Sequence, residues 1–114
     1  MYYNKVVLVG IVGKEPQSTD QNNKSAVFPL EQKKAWIHKK SGKRHEETQY
    51  HRIEVSGSIL KGALPILIKN TMVLVEGELI SKTVHTGVGN DYMKQYIITS
   101  EVAANLIKKI SPGR

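Results

Sequence analysis

The chain has 114 residues, with 17 Lys+Arg against 10 Asp+Glu and a formal net charge of +7, a surplus that points to a polyanionic partner and says nothing about the fold. With 39% hydrophobic and 24% charged residues there is material for one small core, and the absence of cysteine excludes a disulfide scaffold, a cysteine zinc site and a thiol nucleophile. The longest apolar runs, such as Val6–Val9 and Met72–Val75, are four residues, far short of the roughly 18–20 needed for a membrane-spanning helix.

No basic region followed by a long apolar stretch opens the chain, so no secretory signal is expected and the setting is read as cytoplasmic. Lys5–Val12 is β-branched and apolar, is closed by Gly13 and Pro16, and reads as a first strand. Glu15–Ser25 is polar and reads as a loop. Ala26–Ile37 begins apolar, Phe28 is assigned to the core, and Pro29 predicts an edge position or a bulge. Ile37–Glu47 is again a polar loop. In Thr48–Ser56 the alternation places Tyr50, Arg52, Glu54 and Ser56 on one face, with His51, Ile53 and Val55 on the other.

Ser58–Asn70 carries Ile59, Leu60, Ala63, Leu64, Leu67 and Ile68 at helical spacing with Ser58 as N-cap, and Pro65 predicts a short or kinked helix. Met72–Val84 is the longest strand, with a bulge or bend at Gly77. Tyr92–Val102 is the fifth, reached through His85–Asp91, whose Gly87, Gly89, Asn90 and Asp91 are hairpin-turn residues. Five strands with one helix between the third and fourth form the pattern of an all-β OB-fold, a five-stranded Greek-key barrel. Apolar strands resume on both sides of each polar loop, so residues 1–110 read as a single domain, followed by a C-terminal remnant, 111–114.

Six of the cations, Lys33, Lys34, Lys39, Lys40, Lys43 and Arg44, fall in one short run with no acid between them. A solvated hairpin loop is the bland reading of such a run. Trp36 lies inside it, however, and the whole chain is basic. Lysine and arginine neutralise phosphates while an indole face stacks on any base, which is the chemistry of single-strand binding. Tyr50 and Arg52 share a strand face and would stack a base and hold its phosphate, although half-buried sheet packing is the ordinary role of a strand tyrosine. Lys82, on the long fourth strand, completes the candidate set. Tyr92 and Tyr96 fit either core or surface.

No catalytic constellation is present. His38, His45, His51 and His85 lack metal-ligand spacing. The pairs Glu46–Glu47 and Glu76–Glu78 lack a partner base. Ser56-Gly57-Ser58 is no nucleophile elbow, and Gly87-Val88-Gly89 joins two strands instead of opening a helix. Neither an enzyme, a metal nor a cofactor is expected.

Asn4–Gly10 (NKVVLVG) with Gly13-Lys14-Glu15-Pro16, then Glu47–Arg52 (ETQYHR), Val73–Leu79 (VLVEGEL) and Ser100–Leu106 (SEVAANL), resemble in order and spacing the bacterial single-stranded DNA-binding proteins. The resemblance covers about residues 4–107. It implies an OB-fold that binds single-stranded DNA without sequence preference in replication, recombination and repair, as a homo-oligomer with the tetramer favoured over a dimer, associated with the nucleoid and with replication proteins. Trp36 looks like the family's stacking tryptophan, Tyr50 stands where a second one is common, and Arg52 matches a cation of the binding face. His51 resembles a histidine at a subunit contact, and the first strand, with Lys5 and Val7, is similar to one used for dimer pairing.

Two further stacking positions fall here on Ser56 and Val84, which weakens stacking or shifts binding onto charge. The family's acidic, glycine-rich tail is replaced by Ile110-Ser-Pro-Gly-Arg, which accords with a trimmed chain or a tailless relative. The primosomal replication protein of the same fold, dimeric and helicase-loading, is the alternative; Ile53–Gly57 and the low aromatic content fit it. An RNA-binding OB module and a basic surface that holds an acidic protein partner, with Trp36 as anchor, are the other readings.

Overall fold

In the computed structural model, which describes residues 2–19, 21–85 and 96–110 (of 83–85 and 96–99 the backbone only), β1 spans Val6–Val12. It is followed by β2 (Gln17–Ser18), β3 (Ser25–Ile37), β4 (Arg44–Ser56), α1 (Gly57–Ala63), β5 (Met72–His85) and β6 (Tyr96–Lys109). β1, β5, β6, β4 and β3 are hydrogen-bonded in that order, and β3 returns to β1 at Ile11↔Glu31 and Val12↔Leu30. The sheet thereby closes into the five-stranded barrel of an OB-fold. All pairings are antiparallel except a short parallel contact, Ile53↔Val102 and Glu54↔Ala103, between β4 and β6.

Strand alternation fills the barrel. Val12, Ala26, Phe28, Leu30, Ile53, Val55, Val73, Val75 and Val102 point inward, and Leu60, Ala63 and Leu67 from α1 and the turn after it pack onto the same core. Phe28 is 1% exposed, in line with its assignment to the core. The expected bend at Gly77 is a register shift between Glu76 and Gly77, and a Cβ there would lie 2.1 Å from the Ala103 carbonyl oxygen. The two strands approach too closely for any side chain at that position.

Several boundaries differ from the sequence reading. The helix is short, as Pro65 predicts: it begins one residue early, at Gly57, and ends at Ala63, because Pro65 has no N–H to donate and its ring clashes with the preceding turn. Its N-cap is Ser56, not Ser58, and makes no side-chain cap bond; the Gly57 N–H instead donates to the Lys24 carbonyl at 2.9 Å. The loop Glu15–Ser25 contains β2, paired with Ala26 and Val27. Pro29 is at neither an edge nor a bulge. It sits where the outer side of β3 changes partner from β2 to β1, and its carbonyl accepts the Gly13 N–H at 2.9 Å. Its missing N–H faces that same side, so no ladder bond to β4 is lost. The last strand runs on past Val102 to Lys109. The turn residues Gly87, Gly89, Asn90 and Asp91, as well as Tyr92 and the remnant 111–114, lie outside the described residues, as do the side chains of Val84, His85 and Tyr96.

Candidate nucleic-acid interface

β3 and β4 pair from Ser25↔Ser56 to Ile37↔Arg44, well beyond the barrel. Among the described residues the outer edge of β3 past Glu31 carries no other strand, and β4 meets β6 only at Ile53 and Glu54. The segment expected as a loop, Ile37–Glu47, is therefore the end of a projecting two-stranded arm. Its sequence, polar on both faces, needs no cover.

The arm's tip is fixed locally. The His38 N–H donates to the Lys43 carbonyl at 2.9 Å and the Gly42 N–H to the His38 carbonyl at 2.8 Å, with Gly42 at φ +69°. That backbone conformation favours glycine. His38 Nδ1 also receives the N–H groups of Lys40 and Ser41 at 3.3 and 3.4 Å, so Nδ1 is the acceptor nitrogen of that ring.

All six cations of the run are on this arm and exposed. Lys33 meets Glu31 at 3.8 Å and Arg44 meets Glu46 at 3.4 Å, contacts worth little at such exposure. Among the described residues Lys34, Lys39, Lys40 and Lys43 form no ion pair. Trp36 is 41% exposed and stacks on His45, ring centroids 5.7 Å apart at 22°; His38 meets His45 edge-on at 5.7 Å. One indole face is thus braced by imidazole, and the ring stays partly exposed.

Tyr50, 65% exposed, lies on the outer face of β4 next to Arg52, as the alternation predicts. Lys14, Gln17, Val27, Pro29, Tyr50 and Arg52 line a shallow groove there. Lys14 is a cation the sequence reading missed; its neighbours Glu15 and Pro16 disguise it as ordinary turn polarity. The register places Trp36 opposite His45 and Tyr50 opposite Glu31, so the two aromatics occupy opposite faces of the ribbon. Ser56 is exposed and offers no stacking surface.

Arg52 and Lys82 are not unpaired cations. Arg52 Nε lies 2.7 Å from Oε1 of Glu101, which is only 5% exposed, and Lys82 Nζ lies 3.4 Å from Glu101 Oε2. Lys82 also donates to Glu54. The hydrogen bond to Glu54 raises the Lys82 pKa above the ordinary 10.5; partial burial opposes this and the Glu101 charge adds to it. Sequence reasoning missed Glu101. Its signal is a single acid inside the apolar run of β6, which is buried only when paired.

His51 is half-buried and bonds Gln32 within its own chain: Nε2 lies 2.9 Å from Gln32 Oε1, while Gln32 Nε2 donates to the Val9 carbonyl at 3.0 Å. Because that carbonyl only accepts, Gln32 is fixed in this orientation and His51 Nε2 is the donor. Lys5 and Val7 are exposed, Val7 and Val9 on the outer face of β1. β1 pairs with β5 from Val6 to Ile11 but with β3 only at Ile11 and Val12, so among the described residues the β3-side edge of Val6–Leu8 carries no strand, while the Val9 carbonyl is taken by Gln32 and Gly10 lies against Glu31.

The model of the single-strand binding protein family matches residues 3–105. The chain belongs to this family. Its fold is similar to that of the Plasmodium falciparum SSB in complex with ssDNA, at 24% identity and a TM-score of 0.78, covering 97% of each chain. It is also similar to the small single-stranded DNA-binding protein from Streptomyces coelicolor, at 20% identity, TM-score 0.68 and 96% of each chain. A deletion mutant of the single-stranded DNA binding protein from Thermus aquaticus matches at 22% identity and TM-score 0.68, over 96% of this chain and 51% of that one.

Proposed function

We propose that this chain binds single-stranded DNA without sequence preference, by the β3–β4 arm and the outer face of β4, and acts by occupancy with no chemical step. The observation that carries this reading is the arm itself, which presents a partly exposed indole near Lys34, Lys39, Lys40 and Lys43, none of which forms an ion pair among the described residues. The stack supplies affinity for any base and the lysines neutralise phosphates. The groove at Tyr50 and Arg52 extends the contact onto the barrel. Family membership supports the same reading, and protection of strands exposed in replication, recombination and repair is the role that fits it.

The protein acts as a homo-oligomer, a tetramer in this proposal. The open edge of β1 and the exposed Val7 and Val9 suit pairing with a second copy. His51, half-buried, supports that region through Gln32 and Val9.

The test is affinity for oligo(dT), for a matched RNA and for duplex DNA, measured with wild type and a Trp36→Ala, Lys39→Ala, Lys40→Ala triple variant. Wild type is expected to prefer the DNA single strand, and the variant to lose on the order of tenfold or more. Unchanged affinity in the variant would place the site elsewhere.

A further inference from the structure

Arg52 and Glu54 from β4, Lys82 from β5 and Glu101 from β6 form one cluster beside Tyr50. Glu101 is its hub. Its Oε1 takes Arg52 Nε at 2.7 Å, and its Oε2, buried and without a well-aligned hydrogen bond, faces Lys82 Nζ at 3.4 Å. Desolvating such a carboxylate costs about as much as pairing returns, so stability alone is a poor reason for it.

The geometry leaves Arg52 half used. Nε makes the closest approach to Glu101, at 2.7 Å, while 56% of the side chain stays exposed. Two cations meet two carboxylates here, whereas Lys34, Lys39, Lys40 and Lys43 on the arm meet none within ion-pair distance among the described residues. Counterion release follows the net positive charge delivered to phosphates. The arm delivers such charge; the cluster delivers almost none.

We infer that Glu101 is a positioning residue of the DNA-binding face, which fixes Arg52 by its Nε for a phosphate contact and keeps this part of the face electrically neutral. Salt-dependent affinity then comes from the arm, and salt-insensitive placement of the strand from the Arg52–Glu101–Lys82 centre. This rests on the single-strand binding reading above.

The test is the slope of log K against log salt for oligo(dT). Glu101→Gln leaves one cation unmatched, so its slope becomes more negative by about 0.7, the increment of one further phosphate on a single strand. Low-salt affinity rises by about two- to fivefold as a nearby repulsive charge is removed. Glu101→Asp keeps the wild-type slope. Glu101→Gln combined with Arg52→Gln restores the charge balance and returns the slope to that of wild type.

Arg52→Lys gives an independent reading should Glu101→Gln fold poorly. It keeps the charge but loses the side-on donor, and binds more weakly at an unchanged slope. A uniform loss at all salt concentrations with an unmoved slope in Glu101→Gln makes the residue merely structural and overturns the inference. So does a steepened or flattened slope in Arg52→Lys. A wild type that fails to bind oligo(dT) overturns the binding reading itself, which separates the two failures.

Discussion

Trp36 and Tyr50 stand on opposite faces of the same ribbon, Trp36 paired across it with His45 and Tyr50 with Glu31. A single strand that uses both cannot lie flat on one surface; it passes around the arm. The two aromatics share no contact, so their contributions add. Trp36→Ala and Tyr50→Ala are each expected to weaken binding by about 1–3 kcal/mol, and the double variant by the sum within about 0.5 kcal/mol. Isothermal titration with oligo(dT) checks this. A double variant no weaker than the worse single one would mean that the two rings serve alternative modes.

The arm's lysines act through charge alone. Replacing Lys39 and Lys40 by Gln removes two exposed cations that carry no ion pair among the described residues. The slope of log K against log salt is expected to flatten by about 1.4, at about 0.7 per phosphate. Fluorescence anisotropy at several salt concentrations measures it, and an unchanged slope would exclude these residues from phosphate contact.

The strand edge of β1 makes a different prediction. Val7→Lys with Val9→Lys places two charges on an exposed apolar strip while leaving the barrel interior untouched. Sedimentation velocity should show a smaller species than wild type, with an unaltered far-UV spectrum. An unchanged sedimentation coefficient would mean that copies meet elsewhere.

Lys82 predicts a pH dependence of stability. Its pKa lies above 10.5 in the folded state, chiefly through Glu54, so the charged form is favoured by folding. Its contribution is fully present below the unfolded value and disappears as pH rises through the raised one. In urea unfolding, the gap between wild type and Lys82→Met is expected to stay constant from about pH 6 to about pH 9 and to close only in the alkaline range above 10.5. A gap that changed near neutrality would point to another titrating group.

The barrel was readable because its signals are local and agree with one another. The alternation Tyr50/His51/Arg52/Ile53, the Gly77 bulge and the Pro65 stop each report a constraint that acts within a few residues. The arm was not. Arg44–Glu47 is polar on both faces, so it lacks the periodicity that a buried face imposes and reads as part of the loop Ile37–Glu47, while Lys33–Trp36 reads only as the end of the second strand. Single cations were legible as types but not as states. Nothing near Arg52 or Lys82 in the chain announces Glu101, which reaches them only through barrel closure. The same holds for Lys14, brought to the Tyr50 groove by the turn after β1, and for His51, whose partner Gln32 lies across the ribbon.

The central claim is that Trp36 meets single-stranded DNA directly, and as the only tryptophan it reports on itself. Its fluorescence should be titrated with oligo(dT) and with duplex DNA at low and high salt. Strong quenching by the single strand, little by the duplex, and a moderate dependence on salt are the results that base stacking combined with phosphate contact predicts. Equal binding of both forms without quenching, abolished by salt, would contradict the claim and reduce the arm to a general polycation.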